Sequence, residues 1–266
     1  MSAVVDRGFG EALRRWRSLR RMSQLELALL AGTTQRHLSF VERGRSTPGR
    51  GMVVRLAESL KLPLRERNAL LLTAGYAPAY SETALDSDAL SAVRHALDAV
   101  LKGHEPYPAM MVDRAGALLA ANAACGVFFQ DVALELLEPP VNTRRLALHP
   151  AGMAGRVVNF EQWAPHVTES LRRECASNPD PALESLLAEL DGYVARVPPG
   201  PDHIGFAVPL RLRIPDGELR LITTLTSFVT ATDVSLAELR LEAFLPADRE
   251  TSDLLNGLAR RRDAGP

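Results

Sequence analysis

The sequence predicts an α+β chain of two domains: an all-α headpiece of five helices over 8–75, then a five-stranded antiparallel sheet with helices over 107–255. Three observations carry that prediction. Residues 23–48 (SQLELALLAGTTQRHLSFVERGRSTP) hold the caps and the turn of a helix, a tight turn and a second helix. Residues 206–214 alternate apolar with other side chains at the period of two that a strand requires. Charge is divided: residues 1–75 carry 14 Lys and Arg against 6 Asp and Glu, net +8, and the other 191 carry 17 against 26, net −9. A basic head on an acidic body suits a protein that touches DNA with one end only.

An apolar fraction of 46% and a charged fraction of 24% are those of an ordinary globular chain, and 266 residues suffice for two domains. Cys125 and Cys175 are too few for a disulfide framework or a Cys-rich zinc site. Asp6, Arg7 and Glu11 break the first apolar run, so no signal peptide is expected. No stretch approaches the ~18–20 apolar residues of a membrane span, and a cytoplasmic location is expected.

Within the headpiece, residues 8–21 form a first helix with Phe9, Leu13, Trp16 and Leu19 to one side. Ser23 caps the next, with Glu26 completing a capping box. Leu25, Leu29 and Leu30 repeat at helical spacing and are expected to face a small core. Gly32 supplies the left-handed turn that ends the helix. Thr33 or Thr34 caps a third helix, with Leu38 and Val41 inward. Its outward Gln35, Arg36, Ser39 and Arg43 carry groups that suit base edges and phosphates, and a second helix presented so is how a helix-turn-helix enters the major groove. A fourth helix spans 51–60 and a fifth opens at Pro63 and closes at Gly75.

QLELALLAGTTQRHLSFVERG resembles the Cro/C1-type helix-turn-helix of the XRE family, and AGTTQR is similar to the corresponding run of lambdoid phage repressors. The resemblance implies a repressor-type headpiece bound to double-stranded DNA. It places base reading on Thr34, Gln35 and Arg36, with Phe40 positioned to touch a thymine methyl, and a phosphate contact on Gln24. It also implies an ion pair between Arg17 in helix one and Glu42 late in helix three. ERGRSTP fits the family ending E-x-G-x-x-x-P, so Arg43 and Arg45 are expected to hold phosphates, together with Ser39 on the outward face of the helix.

Residues 76–90 are a linker rich in Pro, Ser, Thr and Asp, and a helix over 89–101 completes the connection through 106. That helix suits either dimer contacts or plain packing. Residues 107–121 are expected to form a strand, a turn at 113–116 and a second strand, and Asn122 to cap a helix running to about Gln130. Asn159 and Gln162 are the expected cap and third position of a helix reaching Cys175, and 180–197 forms another. Strands follow over 206–214, 218–229 and 239–245, in the last of which Leu239, Leu241, Ala243 and Leu245 alternate with Arg240 and Glu242. Pro209 argues that its strand is an edge or bears a bulge. The basic run at 260–262 is expected to lie in a solvated tail, 256–266.

LLAANAACGVFF, LALHPAGMAGRVVNFEQWAPHVTESLRRE and DVSLAELRLEAFLPAD are similar, in that order, to the MmyB-like ligand-binding domain, a PAS-like module found behind XRE headpieces. This resemblance implies a pocket for a small apolar molecule, fatty acids being the ligand class associated with the fold. Phe128, Trp163 and Phe228 are candidate walls and His149 a candidate for a polar head, although each is also an ordinary core or hydrogen-bonded residue.

Catalytic and metal chemistry find little support. Lys61 and Lys102 are the two lysines, so a Ser–Lys peptidase dyad cannot be built from 103 onward. The six histidines show no H-E-x-x-H or other close ligand spacing, and no catalytic residue, metal or cofactor is expected. Cys125 has Ala123, Ala124 and Gly126 for neighbours, which suits an inert buried thiol better than a redox sensor. The sequence therefore predicts a homodimeric regulator of transcription that binds a pseudo-palindromic operator and senses a small apolar ligand. The alternative is a regulator without a ligand, whose second domain serves only for dimerisation or docking.

Overall fold

A computed structural model of the chain describes residues 8–194, 208–228 and 231–264. They divide into two compact units, 1–84 with 229–237 and 85–228 with 238–266.

The N-terminal unit is built from α1 (Phe9–Leu19), α2 (Gln24–Leu30), α3 (Gln35–Glu42), α4 (Arg50–Ser59) and α5 (Leu64–Thr73). The capping box of α2 is complete: Ser23 Oγ accepts from the Glu26 amide at 3.1 Å, and the Ser23 amide donates to the Glu26 carboxylate at 2.6 Å. Gly32 takes the positive φ of 65° that its turn needs. Leu13, Leu27, Ala28, Ala31, Leu38, Val41, Val53, Leu56 and Leu70 form the core.

The expected face of α2 is corrected. Leu25, Leu29 and Leu30 are 51%, 69% and 64% exposed, and Leu27 and Ala28 are the buried pair. Two sets of apolar residues in this seven-residue helix satisfy helical spacing, and packing on α3 and α4 selects between them. Close approach of α1 to α3 also depends on a glycine. A β-carbon on Gly10 would lie 2.6 Å from the carbonyl oxygens of Val41 and Glu42.

Residues 76–84 are less linker-like than their composition suggests. Asn68 grips them, its Oδ1 accepting from the Ala79 and Tyr80 amides and its Nδ2 donating to the Tyr80 carbonyl. The same unit takes in the segment around Asp233, whose Oδ2 accepts from Thr83 Oγ1 at 2.7 Å and from the Thr83 amide at 3.1 Å.

The second unit opens with α6 (Ser91–Gly103), which buries Leu97 and Leu101. Strands β1 (Ala109–Val112), β2 (Leu118–Ala121), β3 (Leu210–Ile214), β4 (Gly217–Ser227) and β5 (Arg240–Pro246) form one antiparallel sheet in the order β2-β1-β5-β4-β3. β3 is an edge, and Pro209 precedes it, where a missing amide costs no ladder bond. The expected strand residues 206 and 207 lie outside the described residues. Against the sheet pack α7 (Thr143–Leu148), α8 (Phe160–Ser177) and α9 (Pro181–Val194). α10 (Val234–Glu238) leads into β5, and α11 (Arg249–Asp263) follows it.

Three expectations in this half are corrected. Asn122 does not cap an α-helix: residues 123–128 form a 3₁₀ helix, and the Asn122 side chain instead joins the Ala109 amide to the Leu101 and Tyr107 carbonyls. Asn159 precedes α8 without a side-chain cap bond, and it fixes β3 through the Pro209 carbonyl and the Arg211 amide. The basic run is no tail but the last turn of α11, where three arginines favour the helix dipole and Arg261 and Arg262 reach Asp216 and Glu105.

Candidate DNA interface and ligand cavity

The polar face of α3 is fixed from behind. Arg17 meets Glu42 through two bonds, Nε to Oε1 at 2.6 Å and Nη2 to Oε2 at 2.9 Å, and donates to the Met22 carbonyl at 2.8 Å. The Glu42 side chain is 3% exposed, and its hydrogen bonds raise the Arg17 guanidinium above its ordinary value. Gln24 Nε2 adds a third bond to the same carboxylate at 2.7 Å. A bidentate pair of this kind sets direction as well as distance, so the start of α2 and the end of α3 are locked to α1.

Ahead of that anchor, Gln35 and Arg36 are exposed, and the Arg36 guanidinium lies 5.5 Å from the centre of the Phe40 ring. The contact holds a long side chain over the helix face. Thr34 Oγ1 accepts from the His37 amide at 3.1 Å as the cap of α3. Ser39 is half-buried, and Arg43 and Arg45 are exposed around Gly44, whose φ is 68°. Thr34, Gln35, Arg36, Ser39, Phe40, Arg43 and Arg45 therefore lie on or at the ends of one helix. Gln24 stands apart, tied into the ion pair.

In the second unit, a cavity of about 360 Å³ lies between the sheet and the helices. Met110, Leu210, Ile222, Thr223, Leu225, Glu242 and Phe244 come from the strands. Phe128, Thr143, Arg144, Leu146, Ala147, Met153, Trp163, His166, Val167 and Ser170 come from the helical side. Phe128 is tilted at 60° to Phe244 with ring centres 4.7 Å apart, and Arg156 holds the Val127 and Phe128 carbonyls. Arg145 clamps α7 to α9 through Glu189, Nη2 to Oε2 at 2.7 Å, and so fixes the neighbouring Arg144 in the wall.

Of the four candidate pocket residues, Phe128 and Trp163 line this cavity. His149 and Phe228 do not. The His149 ring stands edge-on to Tyr193 at 5.0 Å and accepts from the Ala151 amide, and Phe228 is 42% exposed just beyond β4. His166, on α8, is in the wall instead.

Two charged residues in the wall, Glu242 on β5 and Arg144 on α7, are not among the candidates the sequence offers. Burial pushes the Glu242 carboxyl up, against the pull of Arg144 and Arg240, and burial pushes the Arg144 guanidinium down. Cys125 is a closed site: burial drives its thiol up to about 12, and Sγ donates to the Ala109 carbonyl at 3.2 Å. Such a thiol carries almost no thiolate at neutral pH.

A family model described as the MmyB-like transcription regulator ligand binding domain matches residues 93–258, more than half of the chain. The chain belongs to this family. A second model, for a helix-turn-helix, matches residues 13–67, so the MmyB-like domain follows a DNA-binding headpiece. An uncharacterized HTH-type transcriptional regulator, y4dL, from Sinorhizobium fredii is 43% identical over 54 residues. That match spans 20% of this chain and 28% of the relative's length. Among solved structures, the restriction-modification controller protein C.AhdI from Aeromonas hydrophila is 34% identical, over 22% of this chain and 89% of its own, with a TM-score of 0.21. The clp gene regulator ClgR from Corynebacterium glutamicum is 24% identical, over 40% and 99%, with a TM-score of 0.23. This MmyB-like protein joins a helix-turn-helix to a transcription-regulator ligand-binding domain, and no helix among its described residues is long and apolar enough to cross a membrane.

Proposed function

We propose that the protein is a homodimeric regulator that binds a pseudo-palindromic operator and responds to a small apolar, fatty-acid-like molecule. Thr34, Gln35, Arg36 and Phe40 read base edges, and Gln24, Ser39, Arg43 and Arg45 hold phosphates. The observation that carries the ligand part is the cavity of about 360 Å³, within the 300–1,000 Å³ range of small-molecule sites. A domain used only for docking has no need of such a space, and a filled core would have favoured that alternative.

A ligand shifts the headpieces only through different affinity for their two arrangements. Chain connectivity offers a route. β4 and β5 supply Ile222, Thr223, Leu225, Glu242 and Phe244 to the cavity wall, and the segment joining them belongs to the N-terminal unit, where Asp233 holds Thr83.

Native mass spectrometry of the purified full-length protein tests this reading. A dimer carrying a reproducible adduct of lipid-like mass, lost on denaturation, is the expected result. A monomer that takes up no apolar molecule from a lipid extract would overturn it.

A further inference from the structure

Strand register orders the cavity wall from an apolar end to a charged one. Residues directly opposite one another in a sheet share a face, and the next pair on that face lies two residues along. Along β4 and β5 the successive pairs are Leu221 with Pro246, Thr223 with Phe244, Leu225 with Glu242 and Ser227 with Arg240. On β1, Met110 stands opposite Glu242 and Val112 opposite Arg240, so the Arg240 end adjoins the 113–116 turn. Arg144 reaches that same end from α7. It donates to the Arg114 carbonyl at 3.0 Å, and a β-carbon on Gly116 would lie 3.1 Å from its Cγ. Arg240 meets Glu174 of α8 there at 3.5 Å. At the opposite end stand Leu210, paired with Leu221, and Phe244, whose ring centre is 4.7 Å from that of Phe128.

The apolar end is held from behind. Phe128, Phe244 and Leu210 are buried. Arg156 donates to the Val127 and Phe128 carbonyls at 3.0 and 2.9 Å, and the Phe244 amide donates to the Pro108 carbonyl at 2.9 Å. A molecule with a polar head and an apolar tail is most stable with its head at the charged end and its tail at the other. The Glu242 carboxyl, pushed up by burial, opposes an anionic head less than an exposed carboxylate would. The tail then runs toward Phe128 and Phe244 and stops against their rings. At roughly 30 Å³ per non-hydrogen atom, the share of a water in the liquid, the cavity of about 360 Å³ holds about twelve such atoms, the count in decanoic acid. We infer that the cavity takes a straight acyl chain of about ten carbons, with Phe128 and Phe244 as the floor that sets its length. The inference rests on the sensor reading above and gives the ligand's length.

Equilibrium titration of the full-length protein uses octanoic, decanoic, dodecanoic and tetradecanoic acids as probes, each kept below its micelle-forming concentration. A buried methylene is worth about a fourfold gain in affinity. Affinity is expected to climb by about that factor per carbon from octanoic to decanoic acid, and tetradecanoic acid is expected to bind at least about tenfold more weakly than decanoic acid. Phe128→Leu and Phe244→Leu each trim a ring and keep the floor apolar, and each should raise the ratio of dodecanoic to decanoic affinity by about fourfold. The same ratio in both variants as in the wild type would overturn the role of the two rings. Wild-type affinity that keeps rising to tetradecanoic acid would overturn the length limit and leave the sensor reading standing. Failure of all four acids to bind would overturn both.

Discussion

Arg36 and Arg43 stand at opposite ends of the eight-residue helix α3, and the proposed interface gives them different work. Arg36 lies over Phe40 on the outward face, where a guanidinium can reach a guanine edge. Arg36→Ala should relax preference at one base position at a cost of about 1–3 kcal/mol. Unchanged relative affinities across single-base operator variants would remove it as a reader. Arg43, past the end of the helix beside Gly44, is the proposed phosphate contact. Arg43→Ala should weaken binding to all sequences alike and reduce the slope of log affinity against log salt by about one. Gly10 acts through backbone distance alone. Gly10→Ala forces α1 away from the Val41 and Glu42 carbonyls and should lower stability by about 1–3 kcal/mol, read by thermal unfolding.

At the scale of elements, what was legible in the sequence was local. The Ser23–Glu26 box, the Gly32 turn and the Pro63 helix start depend on neighbours a few residues away, and each stands where its residues predict. Features decided by distant partners were less visible. The buried face of α2 is chosen by α3 and α4, so Leu25 and Leu29 matched the period as well as Leu27 and Ala31 did. α11 was hidden because Leu254, Leu255 and Leu258 are sparse among polar and charged residues. Glu242 was missed for a related reason. β5 is the central strand, and Leu241, Ala243 and Phe244 are all buried, so alternation does not mark which face holds the cavity. An acidic residue between apolar neighbours was the one available signal. The connection between β4 and β5 carries its own expectation. Asp233→Ala removes the acceptor for Thr83 and for the start of α10, and it should reduce the effect of ligand on operator affinity while ligand binding itself persists. Undiminished coupling, read as operator affinity with and without ligand, would show that this clasp transmits nothing.

For the whole molecule, the charge division and the two matched families put a basic helix-turn-helix at one end of the chain and the ligand-binding domain at the other, and the proposal gives DNA to the first. Their connection is a coupling free energy, and it must appear as a change in one affinity when the other site fills. The most direct test is the affinity of the full-length protein for an operator selected from random duplexes. It is measured on protein stripped of bound lipid, before and after a lipid extract is added. The expected change is fivefold or more, the lower end of typical allosteric coupling at about 1 kcal/mol. Equal affinities for the loaded and stripped protein would contradict a ligand-responsive regulator and leave a DNA-binding protein whose second domain reports nothing to the first.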